Sequence, residues 1–500
     1  MIRIFFLLLL PFWLHASTLY QTLSSNPARL NPLLATDTAS SKISGYIFSG
    51  LLKYDENASV VGDLALDFER LDEKRVLFAL RRGVKWHDGH PFGAWDVAFT
   101  FDFLHNPKVS TPFAHDFEAV EKIEIIDDHT LIVHYKKPYF KMLEIWMMGI
   151  LPKHLLENDS SPLTSIFNTH PVGTGPYKME KIELSKEIRL VANEAYYEGV
   201  PSIKELVFSI IPDPSTSFYL AQKGVLDLYG LDAMQLAKKV KPSFFETYQI
   251  VEESAKAYTY LGFNLAKPLF QESDIREAIA AAIDKKELVD ILFFGHGTQC
   301  YGPFLPSTNA YNDAYAKPTY NPQKAKALLA KHGYSTSNPL RFEIATNSAN
   351  PTRMAAAQIL QNQLSRVGVE VSIRAVEWQA FLNTVVHPKA FDAILLGWSL
   401  SILPDAYALW HSDGMQSGGF NLVSFRDASV DALIEEAQSV VDREKFGALY
   451  REIFAKIVEA NPYVFLYIPN DIVAVKRTIS PIRPSIVGLE HNIIEWKKEE

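Results

Sequence analysis

Apolar periodicity that switches between the helical and the strand repeat is the feature that most limits the folds open to this chain. The clearest case lies at 351–397. Apolar residues recur there at helical spacing across 360–367, and Gly368 suits the left-handed position that often ends a helix. Residues 369–375 then alternate between apolar and polar, as in a half-buried strand. Such strand–helix alternation favours an α/β fold, with parallel strands covered by helices.

The length of the chain predicts more than one structural unit. Its 500 residues exceed what a single hydrophobic core usually supports, and no internal repeat or low-complexity linker interrupts them. Hydrophobic residues make up 48% and charged residues 21%, which is typical of a globular protein. The formal net charge of −9 and the lack of a dense Lys/Arg run argue against a nucleic-acid partner.

The first sixteen residues predict a signal peptide. Arg3 supplies a positive start, residues 4–14 are apolar, and Ala16 offers a small residue for cleavage. Eleven apolar residues are too few to cross a bilayer, which takes about twenty. A buried N-terminal helix is the alternative. We therefore expect export of the mature chain to the periplasm.

Cysteine usage agrees with a protein that is not lipid-anchored. Cys300 is the single cysteine, so neither an intramolecular disulfide nor a Cys/His zinc cluster can form, and no lipobox cysteine follows the leader. No second long apolar run suits a transmembrane helix. The sequence predicts a mature protein free in the periplasm.

No catalytic constellation is visible, and the sequence predicts neither an enzyme nor a cofactor. The motifs of serine hydrolases, zinc proteases, P-loop proteins and dinucleotide-binding proteins are all absent. Cys300 and His296 could be interpreted as a dyad, but a packed loop cysteine explains Cys300 better. His87 and His90 lie three apart in a turn with Gly89, so they predict turn stabilisation rather than a metal site. A secreted hydrolase remains the alternative from another functional class.

Aromatic side chains cluster in the C-terminal half and predict a binding pocket. Glycines are interspersed among them and would permit close backbone approach. This combination suits a pocket for a partly apolar ligand, although each ring could instead pack in a core. The aromatic residues are Trp378, Trp398, Tyr407, Trp410 and Phe420, and the glycines are Gly414, Gly418 and Gly419.

Ordered motifs along nearly the whole chain carry a family resemblance. Residues 76–100 read VLFALRRGVKWHDGHPFGAWDVAFT, which closely resembles the signature stretch of family 5 extracellular solute-binding proteins. These are the peptide, dipeptide and nickel-type binding proteins of ABC importers. Further segments that resemble the family, in order, are PVGTGPY (171–177), NEAYY (193–197), IPDP (211–214), YLGFN (260–264), IREAI (275–279), AID (282–284), GP (302–303), NPQKA (321–325) and GW (397–398).

The resemblance implies a periplasmic-binding-protein type II-like fold, with two lobes, a hinge and an inserted extra domain. Lobe I would comprise 17–60, 170–253 and 470–500, with the inserted domain II at 61–169 and lobe III at 254–469. Hinge crossings are expected near 254–262 and 466–473, although periodicity alone would also allow core strands there. The resemblance further implies a monomer that captures a solute between its lobes and delivers it to membrane permease subunits driven by ATPase subunits.

The ligand that the resemblance implies is a di- or oligopeptide, with a nickel chelate or haem as the alternative. In well-known peptide binders of the family, an aspartate three residues after the Gly-Trp tryptophan holds the α-amino group of the ligand. Ser401 stands at that position here, and the nearest acid, Asp405, could instead cap a helix. The expected ligand-binding residues are Tyr258, Asn347, Trp378, Trp398, Ser401, Asp405, Trp410 and Asn421.

Overall fold

The computed structural model describes residues 17–109, 111–416 and 419–499. The predicted signal peptide at 1–16 lies outside the described residues, as does Gly418. In the part of the chain that is described, no helix is both long enough and apolar enough to span a membrane.

Twenty strands form the sheets in the described residues. In chain order they are β1 Thr18–Leu23, β2 Leu52–Tyr54, β3 Val60–Gly62, β4 Ala65–Asp72, β5 Arg75–Leu80, β6 Val120–Asp127, β7 Thr130–Tyr135, β8 Tyr177–Glu183, β9 Glu187–Ala192, β10 Glu205–Ile210, β11 Leu228–Leu231, β12 Tyr248–Ser254, β13 Ala257–Phe263, β14 Gly297–Gln299, β15 Leu340–Asn347, β16 Val369–Val376, β17 Ala393–Ser399, β18 Tyr463–Lys476, β19 Ile479–Ser480 and β20 Lys497–Lys498.

In the same described ranges, fifteen α-helices lie between these strands. They are α1 Thr38–Ile47, α2 Ala94–Leu104, α3 Ala114–Phe117, α4 Lys153–Leu156, α5 Pro214–Gln222, α6 Phe244–Thr247, α7 Pro268–Gln271, α8 Ser273–Ala282, α9 Lys285–Phe293, α10 Pro322–Lys331, α11 Pro351–Ser365, α12 Trp378–Phe381, α13 Tyr407–Trp410, α14 Ala428–Gln438 and α15 Arg443–Ala460. Short 3-10 or π segments are Glu144–Met147, Pro162–Thr164, Ile166–Asn168, Gln235–Lys239, Leu382–Val386, Ser412–Met415 and Leu489–Glu495.

Two four-stranded sheets lie in the first half of the chain. One has the order β1-β10-β9-β8, in which β1 and β10 are parallel. The other is antiparallel, in the order β4-β5-β7-β6. One apolar core underlies both sheets, since the buried Leu19 and Phe208 of the first belong to the same cluster as Phe78 and Val133 of the second. The second sheet is therefore packed firmly against the first.

The largest sheet has eight strands and contains the unit predicted at 351–397. Its main path is β11-β18-β13-β17-β15-β16, with β12 and β14 also paired to β18. Helix α11 connects β15 to the parallel strand β16, and β15 is parallel to β17 as well. Asn350 caps α11 through the amide of Arg353, and Gly368 takes a left-handed conformation (φ +92°) before β16 begins. The predicted strand–helix alternation is confirmed here.

A single long strand, β18, runs through two regions of this sheet. Its first half pairs with β13 and β14, and its second half pairs with β12 and β11. Only Ala255 and Lys256 separate β12 from β13. The chain therefore passes between the two regions of the sheet twice, once at the β12–β13 junction and once along β18, and the two passes are paired side by side. The hinge crossings expected near 254–262 and 466–473 fall in these strands, and the crossings, the domain boundaries and the hinge motion all stay predictions.

Candidate functional site

One edge of the large sheet collects the ends of four strands. Because β15 is parallel to β16 and β17, their carboxyl ends at Asn347, Val376 and Ser399 meet at this edge. Strand β13 is antiparallel to β17 and pairs Ala257 with Ser399, so its first residues lie there too. The carboxyl edge of parallel strands is where open α/β sheets usually bind ligands.

Tyr258 and Trp398, both expected to bind ligand, are direct cross-strand neighbours on β13 and β17. The Trp398 indole stacks on Tyr260 at 6.2 Å between ring centroids, and its N–H donates to the Tyr463 hydroxyl at 3.4 Å. Phe420 meets the same indole edge-on at 5.9 Å. Tyr258 is fully buried, and its hydroxyl lacks a hydrogen-bond partner among the described residues. The pair thus belongs to an aromatic stack that supports the sheet edge.

Asn347 and Trp378 lie at the outer strands of the same edge. The Asn347 side-chain oxygen accepts from the Arg353 guanidinium at 3.1 Å, and burial lowers the pKa of that guanidinium. Trp378 begins α12 directly after β16 and keeps 39% of its surface exposed, with its ring 6.3 Å from Phe381. Trp378 therefore offers an accessible aromatic surface, whereas Asn347 is already engaged within the fold.

The loop that follows β17 carries Ser401 and Asp405. The Ser401 hydroxyl donates to the Leu403 carbonyl at 2.7 Å. Asp405 accepts from the Tyr407 amide at 3.1 Å at the start of α13, and its other oxygen pairs with Lys141 at 2.8 Å. Asp405 therefore accepts from the first amide of α13, but the N-cap residue of that helix is Ala406, so the capping role considered for Asp405 is not found. An ion pair with a residue far away in sequence accompanies this hydrogen bond.

Trp410 and Asn421 are completely buried. The Asn421 amide donates to two backbone carbonyls and its oxygen accepts the Phe425 amide at 3.0 Å, so that its hydrogen-bonding capacity is used locally. Trp410 packs 4.7 Å from the Tyr463 ring, and it lines a small pocket of about 70 Å³ together with Ser401 and Asp405. Both residues support the loop, and a ligand contact for either stays a prediction.

A larger cavity of about 560 Å³ lies in front of this loop, and we call it the central cavity. One wall comes from the loop after β17, and the opposite wall comes from the region around the antiparallel sheet, more than 250 residues earlier in the chain. The lining is largely apolar with a few charged groups, as in many small-molecule sites. Its residues are Tyr54, Phe113, Asp116, Phe117, Lys141, Glu144, Ile145, Met147, Met148, Lys256, Leu400, Ser401, Ile402, Leu403 and Val487.

Charged side chains in the central cavity are paired across its two walls. Lys141 contacts Asp116 at 3.1 Å on its own side and Asp405 at 2.8 Å on the other. Burial alone would lower the pKa of Lys141, but the two carboxylates outweigh it and raise that pKa. Glu144 is paired with Arg443 of α15, although burial still raises the pKa of Glu144 above its usual value. These contacts hold the two walls against each other.

Lys256 connects the central cavity to the crossing strands. Its ammonium donates to the carbonyls of Ile486 and Val487 at 2.7 and 3.3 Å, and its own carbonyl accepts from Leu400 at 2.8 Å. Lys256 also lines a cavity of about 350 Å³ beside β12 and β18, and Val487 lines a further one of about 700 Å³ beside β1 and α1. The three cavities therefore adjoin one another along the C-terminal segment 486–489.

The sequence did not reveal the wall of the central cavity that faces the loop after β17, which includes Tyr54, Phe113 and Lys141. No local signal marks these residues, because their role follows from contacts with residues hundreds of positions away. No group of three or more His, Cys, Asp and Glu side chains within 17–109, 111–416 and 419–499 is placed to hold a metal ion.

The architecture defines the class of protein: this is the type II-like fold of periplasmic binding proteins. The family model for bacterial extracellular solute-binding proteins, family 5 middle, matches residues 59–420. The oligopeptide-binding protein AppA of Bacillus subtilis is 31% identical over 491 residues, covering 94% of this chain and 89% of that protein. The chain therefore belongs to the family 5 bacterial extracellular solute-binding proteins.

Relatives that are named for different ligands are similar to this chain. The structure of B. subtilis AppA in complex with a nonapeptide has a TM-score of 0.78 at 30% identity, covering 97% of this chain and 99% of that one. The structure of NikZ from Campylobacter jejuni in complex with Ni(L-His) has a TM-score of 0.80 at 28% identity, covering 97% and 100%. The heme-binding protein A of Haemophilus influenzae is 26% identical, covering 92% and 88%.

Proposed function

We propose that this protein captures peptides in the central cavity, outside the cytoplasm, and delivers them to an ABC permease. The observation that carries the proposal is the central cavity itself, which is lined from two walls and by Lys256 at the β12–β13 junction. The 31% identity with an oligopeptide-binding protein supports a peptide as the cargo. Residues 1–16 would direct export to the periplasm, and ATPase subunits would drive the permease.

The proposed mechanism is closure of two lobes around the ligand. Lobe I would comprise 17–60, 170–253 and 470–500, with domain II at 61–169 and lobe III at 254–469. Movement would occur at the β12–β13 junction and along β18, where the backbone crosses between them. A ligand that touches both walls binds the closed form more tightly than the open form and so shifts the population towards closure. No chemical step is proposed.

The proposed ligand contacts come chiefly from aromatic and backbone groups. Ser401 lines the central cavity, and the loop at 399–403 would supply amides and carbonyls for a peptide backbone. Trp398 and Trp378 lie outside the cavity lining, at the sheet edge that leads to this loop, and would supply apolar surface to the part of a peptide that extends beyond the cavity. Asp405 is already paired with Lys141, and Ser401 carries no charge, so neither supplies a free carboxylate for an α-amino group. This arrangement favours peptides that bind through their backbone and side chains over dipeptides that are held by the free amine.

A nickel chelate or haem is the second candidate, supported by the similarity to NikZ of C. jejuni. The described residues offer no group of three or more ligating side chains, so a nickel ion would have to arrive with most of its ligands already bound. That requirement distinguishes the two candidates, because a peptide binds without any metal.

Replacing Trp398 tests the proposal. We expect Trp398→Ala to remove at least three quarters of the rise in melting temperature that a peptide mixture produces, because the aromatic surface at the sheet edge is lost. Trp95→Ala is the matched control, since Trp95 is 58% exposed on α2, away from the cavity. An unchanged peptide-dependent rise in Trp398→Ala would contradict the proposed pocket.

A further inference from the structure

A further cavity, of about 670 Å³, opens on the part of the large sheet that lies beyond the central cavity. It is bounded by α8, by the segment before α10, by the end of α15 and by the start of β18. Among the described residues, none lines both this cavity and the central cavity. We call it the Lys285 cavity, after the buried side chain in its wall.

Lys285 is buried without a counter-ion. Only 7% of its surface is exposed, and its ammonium donates to the Cys300 carbonyl at 2.9 Å. The same ammonium lies 4.8 Å from the centre of the Tyr301 ring. No carboxylate of the described residues lies within 4 Å of this ammonium. The other lysines nearby differ, because Lys286 and Lys324 each pair with a carboxylate and Lys317 is exposed to solvent.

The position of Lys285 makes its charge still more costly. It is the first residue of α9, where the helix dipole already places partial positive charge. A buried ammonium also loses hydration, and a carbonyl and an aromatic face replace only part of it. Burial accordingly lowers the pKa of Lys285 to about 8. An anion in the cavity would relieve this cost.

The rest of the wall indicates the size and character of such an anion. Ala281, Val464 and Phe465 supply buried apolar surface, and Tyr301 supplies an aromatic face. Lys317 at the exposed rim adds positive charge, and Glu277 is paired with Lys324 at 2.5 Å. The other carboxylate of the lining, Glu459, is exposed to solvent and therefore screened. A carboxylate on a short apolar body fits both the charge and the lining.

We propose that the Lys285 cavity is a second binding site, separate from the central cavity, for a small organic carboxylate whose charged group pairs with Lys285. The ligand enters from the rim at Lys317 and places its apolar part against Phe465 and Val464. Tyr463 lines this cavity, and its hydroxyl accepts the Trp398 indole N–H. The second site therefore adjoins the aromatic stack at the sheet edge.

Calorimetric titration with benzoate and succinate tests the proposal, with inorganic phosphate as the comparison anion. We expect at least one carboxylate to bind and Lys285→Met to weaken it at least tenfold. Lys286→Met is the matched control, because it removes the same charge from the next residue, which is exposed and paired with Asp290 at 2.5 Å. Carboxylate binding that is absent, or that survives unchanged in Lys285→Met, would overturn the proposal, as would tighter binding of phosphate.

Proton uptake by the unaltered protein provides a second readout, which does not depend on how the variant folds. Near pH 8 about half of the Lys285 side chains are neutral, and pairing with a carboxylate favours the charged form. Titrations in two buffers of different ionisation enthalpy should therefore show uptake of up to about half a proton per ligand at pH 8 and almost none at pH 6. Equal uptake at both pH values would contradict pairing with Lys285.

Discussion

Lys141 is a single side chain that joins two distant parts of the chain. It lies between Asp116 and Asp405, whose positions differ by almost three hundred residues, and it keeps only 20% of its side chain exposed. Breaking a partly buried ion pair of this kind is costly, because the negative charges of the two carboxylates are left without a positive partner. The loop that carries Ser401 is therefore fixed by an ion pair as well as by packing.

Lys141→Met should lower the free energy of unfolding by about 1–2 kcal/mol, since both carboxylates lose their partner while staying partly buried. Urea denaturation at pH 7 would measure the change. Lys153→Met is the control, because Lys153 pairs with Glu157 on the surface at 2.8 Å, and such pairs contribute less than about 1 kcal/mol. Equal losses in the two variants would contradict a special role for Lys141.

His87 should make stability depend on pH. Its Nε2–H donates to the Gly175 carbonyl at 3.0 Å and its Nδ1 accepts the Gly173 amide at 3.2 Å, so the folded protein holds a neutral ring. Burial lowers the pKa of His87 to about 4, below its usual 6.5. The stabilisation is therefore complete above pH 6.5 and decreases as pH falls towards 4, with a loss of about 2 kcal/mol by pH 5.

Urea denaturation of the wild type and of His87→Gln at pH 7.5 and pH 5 would measure this effect. We expect the variant to lose less stability than the wild type between the two pH values, because glutamine does not titrate. His115→Gln, at a position with 85% of its side chain exposed, should behave as the wild type. A steeper pH dependence in His87→Gln than in the wild type would contradict a neutral buried imidazole.

At the scale of elements, β18 and the β12–β13 junction connect the two regions of the large sheet. Lys256, in that junction, holds the C-terminal segment through the carbonyls of Ile486 and Val487. Its backbone carbonyl holds the start of the loop at Leu400. One residue thus attaches the cavity loop and the C-terminal segment to the crossing strands.

Lys256→Met should loosen the C-terminal segment at 485–491. We expect amide hydrogen exchange there to accelerate about tenfold, because two charge-assisted hydrogen bonds to that segment are lost. Mass spectrometry of peptic fragments would measure it, with Lys326→Met on the exposed face of α10 as the control. Faster exchange in α10 but not in 485–491 would contradict the role assigned to Lys256.

The sequence could predict those elements whose pattern is local. The unit at 351–397 followed from apolar spacing and from Gly368, since helix and strand periods are set within a few residues. Tyr258 and Trp398 were both expected at the binding site, but their position as cross-strand neighbours was not predicted. The register between β13 and β17 depends on pairing between segments more than a hundred residues apart. Local periodicity left that pairing undetermined.

The whole molecule shows why the central cavity could be predicted only on one side. Ser401, at a position that the family resemblance identified, lies in the loop that forms one wall, and Trp398 at the end of β17 and Asp405 in the same loop lie next to that wall. Tyr54 and Phe113 come from another part of the chain, and nothing in their neighbouring sequence distinguishes them from core residues. A cavity between distant segments is a property of tertiary packing, so its opposite wall became visible only with the fold.

For the whole molecule, the proposed function requires that a peptide be enclosed between the two walls of the central cavity. Native mass spectrometry of protein purified without denaturation from periplasmic extract tests it most directly. We expect retained masses that correspond to peptides and that are lost in Trp398→Ala but kept in Trp95→Ala. A stoichiometric nickel chelate or haem in place of peptides, with no peptide bound after exchange against a peptide mixture, would contradict it.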